Sequence, residues 1–308
     1  MAESGSTVDN TVTNAPVTEG QTKAPSPWRI IWREIYRDKI ALIALIVFVS
    51  IMFTTFIWAA TLDEGYAKRV DLMVRNQAPS EAYVWGTDEG GRDMRGMMVL
   101  GARNSILVGF SVSLLGSFLG ILVGLIAGFH GGNTDNVIMR IVDTWAMLPQ
   151  LMIIIVFVSL MRDYEVWHFI GILVLFTWVG TARLMRAMAL QQRNLDYVSA
   201  SKTLGTRNIV IMFREVLPNM VPIICVNLTL SLAANMGVET GLTFLGFGLP
   251  FGTPSLGTLI SHARLPAAMQ FRMYQWLPSA LLVFGLMLCI YCVGQALSRA
   301  TDVRSRRG

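Results

Sequence analysis

Long apolar runs recur along this chain, and they restrict the folds that it can adopt more than any other feature. A helix needs about 20 predominantly apolar residues to cross a hydrocarbon core about 30 Å thick. Because backbone groups inside a bilayer must satisfy one another, such runs favour helices. The runs therefore predict an all-α polytopic membrane protein with six transmembrane helices. The predicted spans are Ile40–Ala60, Ile106–Phe129, Trp145–Met161, Trp167–Ala182, Met220–Met236 and Leu277–Leu297.

The composition excludes most soluble functions. Of the 308 residues, 53% are drawn from AVILMFWYC and 15% are charged, whereas soluble domains carry about 25% charged residues. An ordinary soluble enzyme is therefore excluded. The net charge of +5 does not indicate a nucleic-acid surface, because the basic residues lie at the ends of apolar runs. Three cysteines are too few for a disulfide scaffold.

The distribution of lysine and arginine predicts the orientation in the membrane. The segments rich in these residues are 28–39, 183–219 and 299–308. The connections 161–166 and 237–276 carry few of them. Because cytoplasmic segments are enriched in lysine and arginine, we expect a cytoplasmic loop at 183–219 and an external loop at 61–105. Both termini should then lie in the cytoplasm.

Both ends of the chain are predicted to lie outside the membrane domain, which covers residues 40–298. Residues 1–27 contain no apolar run, which predicts a disordered cytoplasmic tail, and residues 299–308 form a basic cytoplasmic tail. Residues 28–39 carry aromatic and basic side chains at helical spacing, which is typical of a helix lying at the membrane surface. The alternative is that residues 28–39 form the first turns of the first span.

A stripe of glycines runs along the second predicted span. The glycines stand four residues apart, at Gly116, Gly120, Gly124 and Gly128. On a helix this spacing makes one smooth face that another backbone can approach closely. The stripe therefore predicts close packing against another helix, with a pore-lining face as the alternative.

The sequence contains no candidate catalytic, cofactor-binding or metal-ligating group. Cys289 and Cys292 match the C-x-x-C spacing, but they lie in the middle of an apolar span. The three histidines form no metal-ligand spacing. No Gly-Lys-Ser or Gly-Lys-Thr is present to hold ATP phosphates. If the chain does uphill work, the energy must come from another chain.

The loop predicted to be cytoplasmic contains two short amphipathic helices. One helical face carries Tyr197, Ala200 and Leu204, and Gly205 permits a turn at positive φ. The apolar face of the second helix is formed by Ile209, Met212, Phe213 and Val216. Such a surface outside the bilayer favours docking into a groove of another protein. The alternative is a loop that folds back on its own helices.

This loop resembles the EAA signature of ATP-binding-cassette (ABC) importer permeases, which reads E-A-A-x3-G followed by x9-I-x-L-P. Ala200, Gly205, Leu217 and Pro218 occupy signature positions at the same intervals. Three positions differ: Ser199 replaces the Glu, Ser201 the second Ala and Glu215 the Ile.

Other segments extend the resemblance over about residues 28–298. The segment 85–105, which contains WGTDEGGRD and GARNS, is similar to the corresponding stretch of dipeptide and oligopeptide permeases. Residues 127–143 and 239–257 continue the similarity. The chain most resembles the C-type permease subunit of oligopeptide importers.

The resemblance implies the type I ABC-importer permease fold in a bacterial plasma membrane, with a cytoplasmic coupling helix pair. It also implies several partners: a second homologous permease, two ATPase subunits that bind ATP and Mg, an external peptide-binding protein and the peptide itself. ATP-driven motion of residues 196–213 would tilt the membrane helices. The residues expected to couple to the ATPases are Tyr197, Ala200, Leu204, Gly205, Arg207, Ile209, Phe213, Arg214, Leu217 and Pro218.

Polar residues of the fifth span and its end predict a translocation path. They are Asn227, Thr229, Ser231, Asn235 and Glu239. Polar groups inside a membrane are costly and tend to face a cavity or a partner helix. Hydrogen bonding between helices is the alternative role for the two asparagines. Because a peptide importer must tolerate diverse side chains, we expect a wide and weakly binding path.

Two other functional classes stay open at this point. A secondary transporter would need ion-coupling carboxylates in its spans, and only Asp143 and Glu239 lie near span edges. A membrane-embedded enzyme would need clustered His, Asp or Glu at membrane depth. Within the ABC-importer family, dipeptide and nickel importers share the same motifs.

Overall fold

A computed structural model describes residues 36–161 and 163–305, apart from the side chains at 66 and 301–305. These residues are mostly helical and contain no β-strand, which confirms the all-α prediction. The predicted tail 1–27, most of the predicted interfacial helix 28–39 and residues 306–308 of the basic tail lie outside the described residues.

The described α-helices include long elements and short ones. In chain order they are α1 (Lys39–Thr61), α2 (Glu64–Lys68), α3 (Met94–His130), α4 (Gly132–Ala146), α5 (Gln150–Leu160), α6 (Val166–Gln192), α7 (Asp196–Thr203), α8 (Asn208–Ile211), α9 (Leu217–Leu245), α10 (Leu256–Ile260), α11 (Pro266–Phe271) and α12 (Leu277–Ser305). One π-helical turn, Met212–Val216, joins α8 to α9. By length and composition, α1, α3, α6, α12 and the continuous helix 208–245 can each cross a membrane.

The predicted third span, Trp145–Met161, is broken at Pro149 and is not one continuous helix. Helix α4 ends at Ala146 and α5 begins after Pro149, and the two axes are inclined by 72°. Proline has no backbone N–H and clashes with the preceding helical turn, so it interrupts a helix. With 11 residues, α5 is about 16 Å long and cannot cross a bilayer alone. Counted as one bent span, α4 and α5 bring the candidate spans to six.

Two helices extend further than the apolar runs indicate. Helix α6 continues to Gln192, and the continuous helix 208–245 contains 38 residues. The segment between these helices is therefore 193–207, which is shorter than the predicted loop 183–219. Hydropathy detects only the residues that suit lipid, whereas the backbone hydrogen bonds of a helix continue through polar turns.

The glycine stripe confirms the predicted close packing, because α3 lies against α6 along it. A Cβ atom at Gly116 would lie 2.6 Å from Thr177 Oγ1, and one at Gly120 would lie 2.7 Å from the carbonyl oxygen of Trp178. At Gly124 a Cβ atom would overlap the carbonyl oxygen of Ala182. The two backbones are thus too close for any side chain between them.

The connection between α1 and α3 is anchored by buried and paired carboxylates. The fully buried Asp88 accepts hydrogen bonds from the backbone N–H groups of Gly90 and Arg92 at 2.8 and 2.9 Å, and from Arg92 Nε at 2.7 Å. Glu64 pairs with Lys68 and Arg103, and these two cations lower the pKa of the Glu64 carboxyl group. This connection is therefore an ordered structure and not a loose loop.

Candidate coupling surface and polar cavity

Residues 196–216 partly fold back on the neighbouring helices. Val198, Ile211 and Val216 are fully buried, and Met212 is nearly so. Their packing partners are Leu125, Phe129, Met185, Ala189 and Met220. The predicted apolar face of the second helix is thus divided, because Met212 and Val216 point inward. Val198 and Ile211 are inward-facing positions that the sequence pattern did not identify.

The other side of the same segment is an exposed apolar surface, which we call the 204–213 surface. It consists of Leu204, Ile209 and Phe213, whose exposed fractions are 84%, 64% and 41%. The other predicted coupling residues surround it: Ala200, Arg207, Arg214 and Pro218 are exposed, and Tyr197 and Leu217 are half-buried. The described part of the chain leaves these three large apolar side chains uncovered, which is typical of a docking surface.

Gly205 provides the turn between α7 and α8. Its φ is +78°, a value that residues with a Cβ atom rarely adopt. The N–H groups of Gly205 and Thr206 donate to the carbonyl oxygens of Lys202 and Ser201, each at 3.0 Å. This pair of bonds is the Schellman arrangement that ends a helix at a left-handed glycine. The positive φ expected from the sequence is confirmed.

Basic side chains flank the 204–213 surface. Arg207 and Arg214 are exposed, and neither forms a salt bridge within the described part of the chain. Lys202 instead lies 5.3 Å from the ring centre of Phe129, a cation–π contact. Arg207 and Arg214 are therefore available to pair with acidic groups of a partner, whereas Lys202 is already engaged.

Two of the positions that differ from the EAA signature contact each other. The hydroxyl of Ser201 on α7 lies 2.8 Å from both carboxylate oxygens of Glu215 in the π-helical turn. The contact joins the two segments that carry Leu204 and Phe213. No sequence rule pairs residues 14 positions apart on different helices, so only the folded chain reveals this bond.

The Ser201–Glu215 bond predicts non-additive mutational effects. Removing the hydroxyl in Ser201→Ala leaves the half-buried carboxylate with fewer partners and should destabilise the α7–α8 segment by about 1–2 kcal/mol. The double variant Ser201→Ala/Glu215→Leu removes both polar partners and should be destabilised by less than the sum of the two single variants. Thermal unfolding of the four purified chains measures this coupling, and strictly additive changes would contradict it.

A polar cavity of about 420 Å³ lies between α3, the α4–α5 bend, α6 and α9. Of the predicted path residues, Ser231 and Asn235 line it directly. Asn227 reaches it indirectly, because its side-chain amide donates to Thr181 Oγ1 at 3.0 Å and Thr181 lines the cavity. Asn227 and Asn235 also form hydrogen bonds to other helices, which is the alternative role that the sequence predicted for them.

The structure places the other two predicted path residues elsewhere. Thr229 lines a smaller apolar cavity of about 230 Å³ with Leu45 and Phe48, and its hydroxyl donates to the carbonyl oxygen of Cys225. Glu239 is fully buried and accepts hydrogen bonds from Thr240 and Thr243 at 3.2 and 3.1 Å. These two residues therefore do not share the polar cavity.

Ion pairs hold α4 against α6 beside the polar cavity. Asp135 receives two bonds from Arg186, at 2.5 and 2.6 Å, and Asp143 lies 2.7 Å from Arg183. The sequence signal for this arrangement is the spacing of the two arginines, because residues three apart share a helical face. The acidic partners of these arginines could be identified only from the position of α4 in the structure.

A second cavity, of about 510 Å³, lies beneath residues 246–254. Arg92, Tyr164 and His262 line it, and the Tyr164 hydroxyl donates to the carbonyl oxygen of Gly248 at 2.5 Å. Burial lowers the pKa of His262, so its imidazole is neutral at neutral pH.

Within residues 36–161 and 163–305, no group of three or more His, Cys, Asp or Glu residues could hold a metal ion.

Helices of membrane length around a polar cavity are typical of an integral membrane transport protein. Comparison with known proteins makes this specific, since residues 120–303 match the binding-protein-dependent transport system inner membrane component. The chain belongs to this family, whose members are membrane components of transport systems with other subunits and are not enzymes. Residues 26–79 match the N-terminal transmembrane domain of oligopeptide transport permease C.

Individual relatives cover nearly the whole chain. The oligopeptide transport system permease protein OppC of Lactococcus lactis subsp. lactis is 42% identical over 89% of this chain and 94% of its own length. OppC of Bacillus subtilis is 32% identical over 92% of both chains. The dipeptide transport system permease protein DppC of Bacillus subtilis is 32% identical over 90% of this chain and 85% of its own length.

Proposed function

We propose that this chain is a transmembrane permease subunit of an ATP-driven oligopeptide importer and forms half of its translocation path. The observation that carries the proposal is the 42% identity to an oligopeptide permease over nearly the full chain. A second, homologous permease would supply the other half, and an external peptide-binding protein would deliver the peptide. A dipeptide importer is the second candidate, since the DppC relative is similar over most of the chain.

The 204–213 surface is the proposed docking site for a cytoplasmic ATPase subunit. Its three exposed apolar side chains suit an apolar groove, and Arg207 and Arg214 can pair with acidic residues at the rim of that groove. The buried side of the same segment packs on α3 and α6. A displacement of the surface would therefore be transmitted to the membrane helices through this packing.

ATP and Mg would bind to the ATPase subunits, and this chain would need no cofactor. The loop 193–207 would then face the cytoplasm, as would both termini. The polar cavity, with Ser231, Asn235 and the Asn227–Thr181 pair, would form this chain's part of the path. Thr229 and Glu239 would instead support the packing of α9.

The proposed function predicts where ATP is hydrolysed. The purified chain should show no ATPase activity, whereas the reconstituted assembly with the second permease and the ATPase subunits should hydrolyse ATP faster when peptide-loaded binding protein is added. Uptake of peptide into proteoliposomes should require ATP and persist after ion gradients are collapsed. ATPase activity of this chain alone, or uptake that follows an ion gradient, would refute the proposal.

The proposed orientation predicts opposite labelling of two cysteines, each introduced separately into a chain whose three native cysteines are replaced by alanine. Ser80 is exposed between α1 and α3, and Thr206 lies in the turn beside the 204–213 surface. An impermeant thiol reagent added to intact cells should label Ser80→Cys and should not label Thr206→Cys. After the membrane is permeabilised, both sites should react. Labelling of position 206 in intact cells would contradict both the orientation and the ATPase docking site.

A further inference from the structure

A cleft that we call the basic cleft lies where the beginning of α1 meets the end of α12. Its lining consists of Arg37, Asp38, Lys39, Ile40, Ala296 and Arg299. Asp38 accepts hydrogen bonds from the backbone N–H groups of Ile40 and Ala41 at 3.0 and 3.2 Å, and it forms an ion pair with Arg299. The carboxylate is therefore engaged by the first turn of α1, and it holds Arg299 beside that turn.

The other two cations of the basic cleft have no acidic partner. Arg37 and Lys39 are both exposed, and neither forms a salt bridge within the described part of the chain. Three cations and one carboxylate give the cleft a net charge of +2. A basic pocket between membrane helices, at one face of the membrane, is typical of a site for an anionic lipid headgroup.

An apolar cavity lies further along the same two helices. It is the cavity of about 230 Å³ that Thr229 lines. Its residues Leu45 and Phe48 lie six and nine positions after Lys39 on α1, and Val293 and Ile290 lie six and nine positions before Arg299 on α12. These spacings correspond to about 9 and 14 Å along a helix. One acyl chain spans half of a hydrocarbon core about 30 Å thick, so a lipid with its phosphate in the basic cleft can reach this cavity.

The apolar cavity offers an occupant almost nothing but hydrocarbon. Its two polar residues are satisfied within their own helices, because Ser113 donates to the carbonyl oxygen of Gly109 at 2.7 Å and Thr229 to that of Cys225 at 2.8 Å. The other lining residues are Leu45, Phe48, Phe110, Leu228, Leu232, Ile290 and Val293. A cavity holds water only where polar partners are free. Phe110 is 53% exposed, so the cavity opens to the outside of the bundle.

We propose that one phospholipid with an anionic headgroup binds between α1 and α12, with its phosphate in the basic cleft and one acyl chain in the apolar cavity. Helix α1 lies at the edge of the described bundle, with Ile43, Ile46 and Phe53 exposed, so a lipid has access to both parts of the site. In the proposed orientation this site lies in the cytoplasmic leaflet. The bound lipid holds α1 against α12, whatever substrate the protein transports.

The test measures the first lipid bound to the purified full-length chain by native mass spectrometry. The probes are dioleoyl phosphatidylglycerol, which is anionic, and dioleoyl phosphatidylcholine, which is not, and the wild-type chain should prefer the anionic lipid. Each cation near an anionic lipid contributes about fivefold in affinity, so Arg37→Gln/Lys39→Gln should lower the affinity for phosphatidylglycerol about tenfold or more. Arg69→Gln/Arg75→Gln removes two exposed arginines from the connection between α1 and α3 and should retain the preference.

Filling the apolar cavity tests the position of the acyl chain. Leu45→Trp should lower the affinity for both dioleoyl lipids severalfold, because the larger side chain occupies the cavity. Ile46→Trp adds an indole at the exposed neighbouring position, outside the cavity, and should bind both lipids like the wild type. Leu232→Phe adds volume from α9 and replaces Leu45→Trp if that variant does not fold. Inorganic phosphate at millimolar concentration should not displace the lipid, because a free anion leaves the cavity empty.

Several results would overturn the assignment. Equal affinity for the two lipids, or a preference that survives the double variant of the basic cleft, would exclude a headgroup site there. Wild-type affinity in the folded cavity variants would show that no acyl chain enters the cavity. Displacement by inorganic phosphate would indicate a site for free anions, and loss of the lipid when the second permease is added would show that a protein covers this surface.

Discussion

Replacing Gly205 by Val is expected to lower ATP-dependent uptake at least tenfold while the chain still inserts and pairs with its sister permease. Gly205 has a φ of +78°, and a β-branched residue in this conformation costs about 1–3 kcal/mol. A Cβ atom at this position would meet no other atom within 4 Å. The penalty is therefore confined to the backbone of the turn, which should change conformation.

The consequence should be a displaced 204–213 surface. Leu204 lies directly before the turn and Ile209 shortly after it, so a new turn conformation moves one relative to the other. The membrane helices do not depend on this turn, because the buried contacts of Val198 and Ile211 lie on the other side of the segment. ATPase subunits should copurify more weakly, or their ATP hydrolysis should no longer respond to loaded binding protein.

Two variants separate coupling from general backbone strain. Gly252→Val places the same residue at a φ of +83° in the connection after α9, also with no atom within 4 Å of the new Cβ, and should retain ATPase copurification. Gly205→Asn should recover part of the uptake, because asparagine tolerates the left-handed conformation. Normal uptake by Gly205→Val at normal membrane levels would mean that this turn does not couple the chain to its ATPases.

Replacing Gly124 by Val should prevent α3 and α6 from packing and reduce the amount of folded chain in the membrane severalfold. A Cβ atom at Gly124 would overlap the carbonyl oxygen of Ala182 and lie 2.8 Å from the backbone nitrogen of Arg186. Backbone atoms within a helix cannot rotate away, so the two helices must separate. Overpacking of this kind costs about 1–3 kcal/mol, and separation also removes the contacts of the neighbouring glycines.

The measurement is the membrane level and thermal stability of the purified variant, with Gly171→Val as the matched control. Gly171 is an exposed glycine of α6, and a Cβ atom there would meet nothing within 4 Å. The control should behave like the wild type. Equal stability of the two variants would show that the glycine stripe tolerates side chains and that α3 and α6 are held together elsewhere.

The sequence by itself determined the features that depend on local composition. Apolar length located the membrane helices, because the thickness of the bilayer sets the number of residues needed. The four-residue repeat of glycines predicted that α3 packs closely against another helix, since only absent side chains let two backbones meet. Gly205 was identifiable as a left-handed turn because it separates two helical patterns. The residues near 200 and 218 were recognisable through their resemblance to the EAA signature of ABC-importer permeases.

Only the tertiary structure decided which residues meet across long sequence distances. It divided the second apolar face of the 196–216 segment, turning Met212 and Val216 inward while Ile209 and Phe213 stayed exposed. It placed Thr229 away from the polar cavity although its helix also carries Ser231 and Asn235. The physical reason is that hydropathy and periodicity describe a helix by itself, whereas burial and hydrogen-bond partners depend on the neighbouring helix. The Ser201–Glu215 bond and the polar cavity follow from such packing, and a single sequence contains no direct signal for them. The bend before α5 is different, because Pro149 marks it in the sequence.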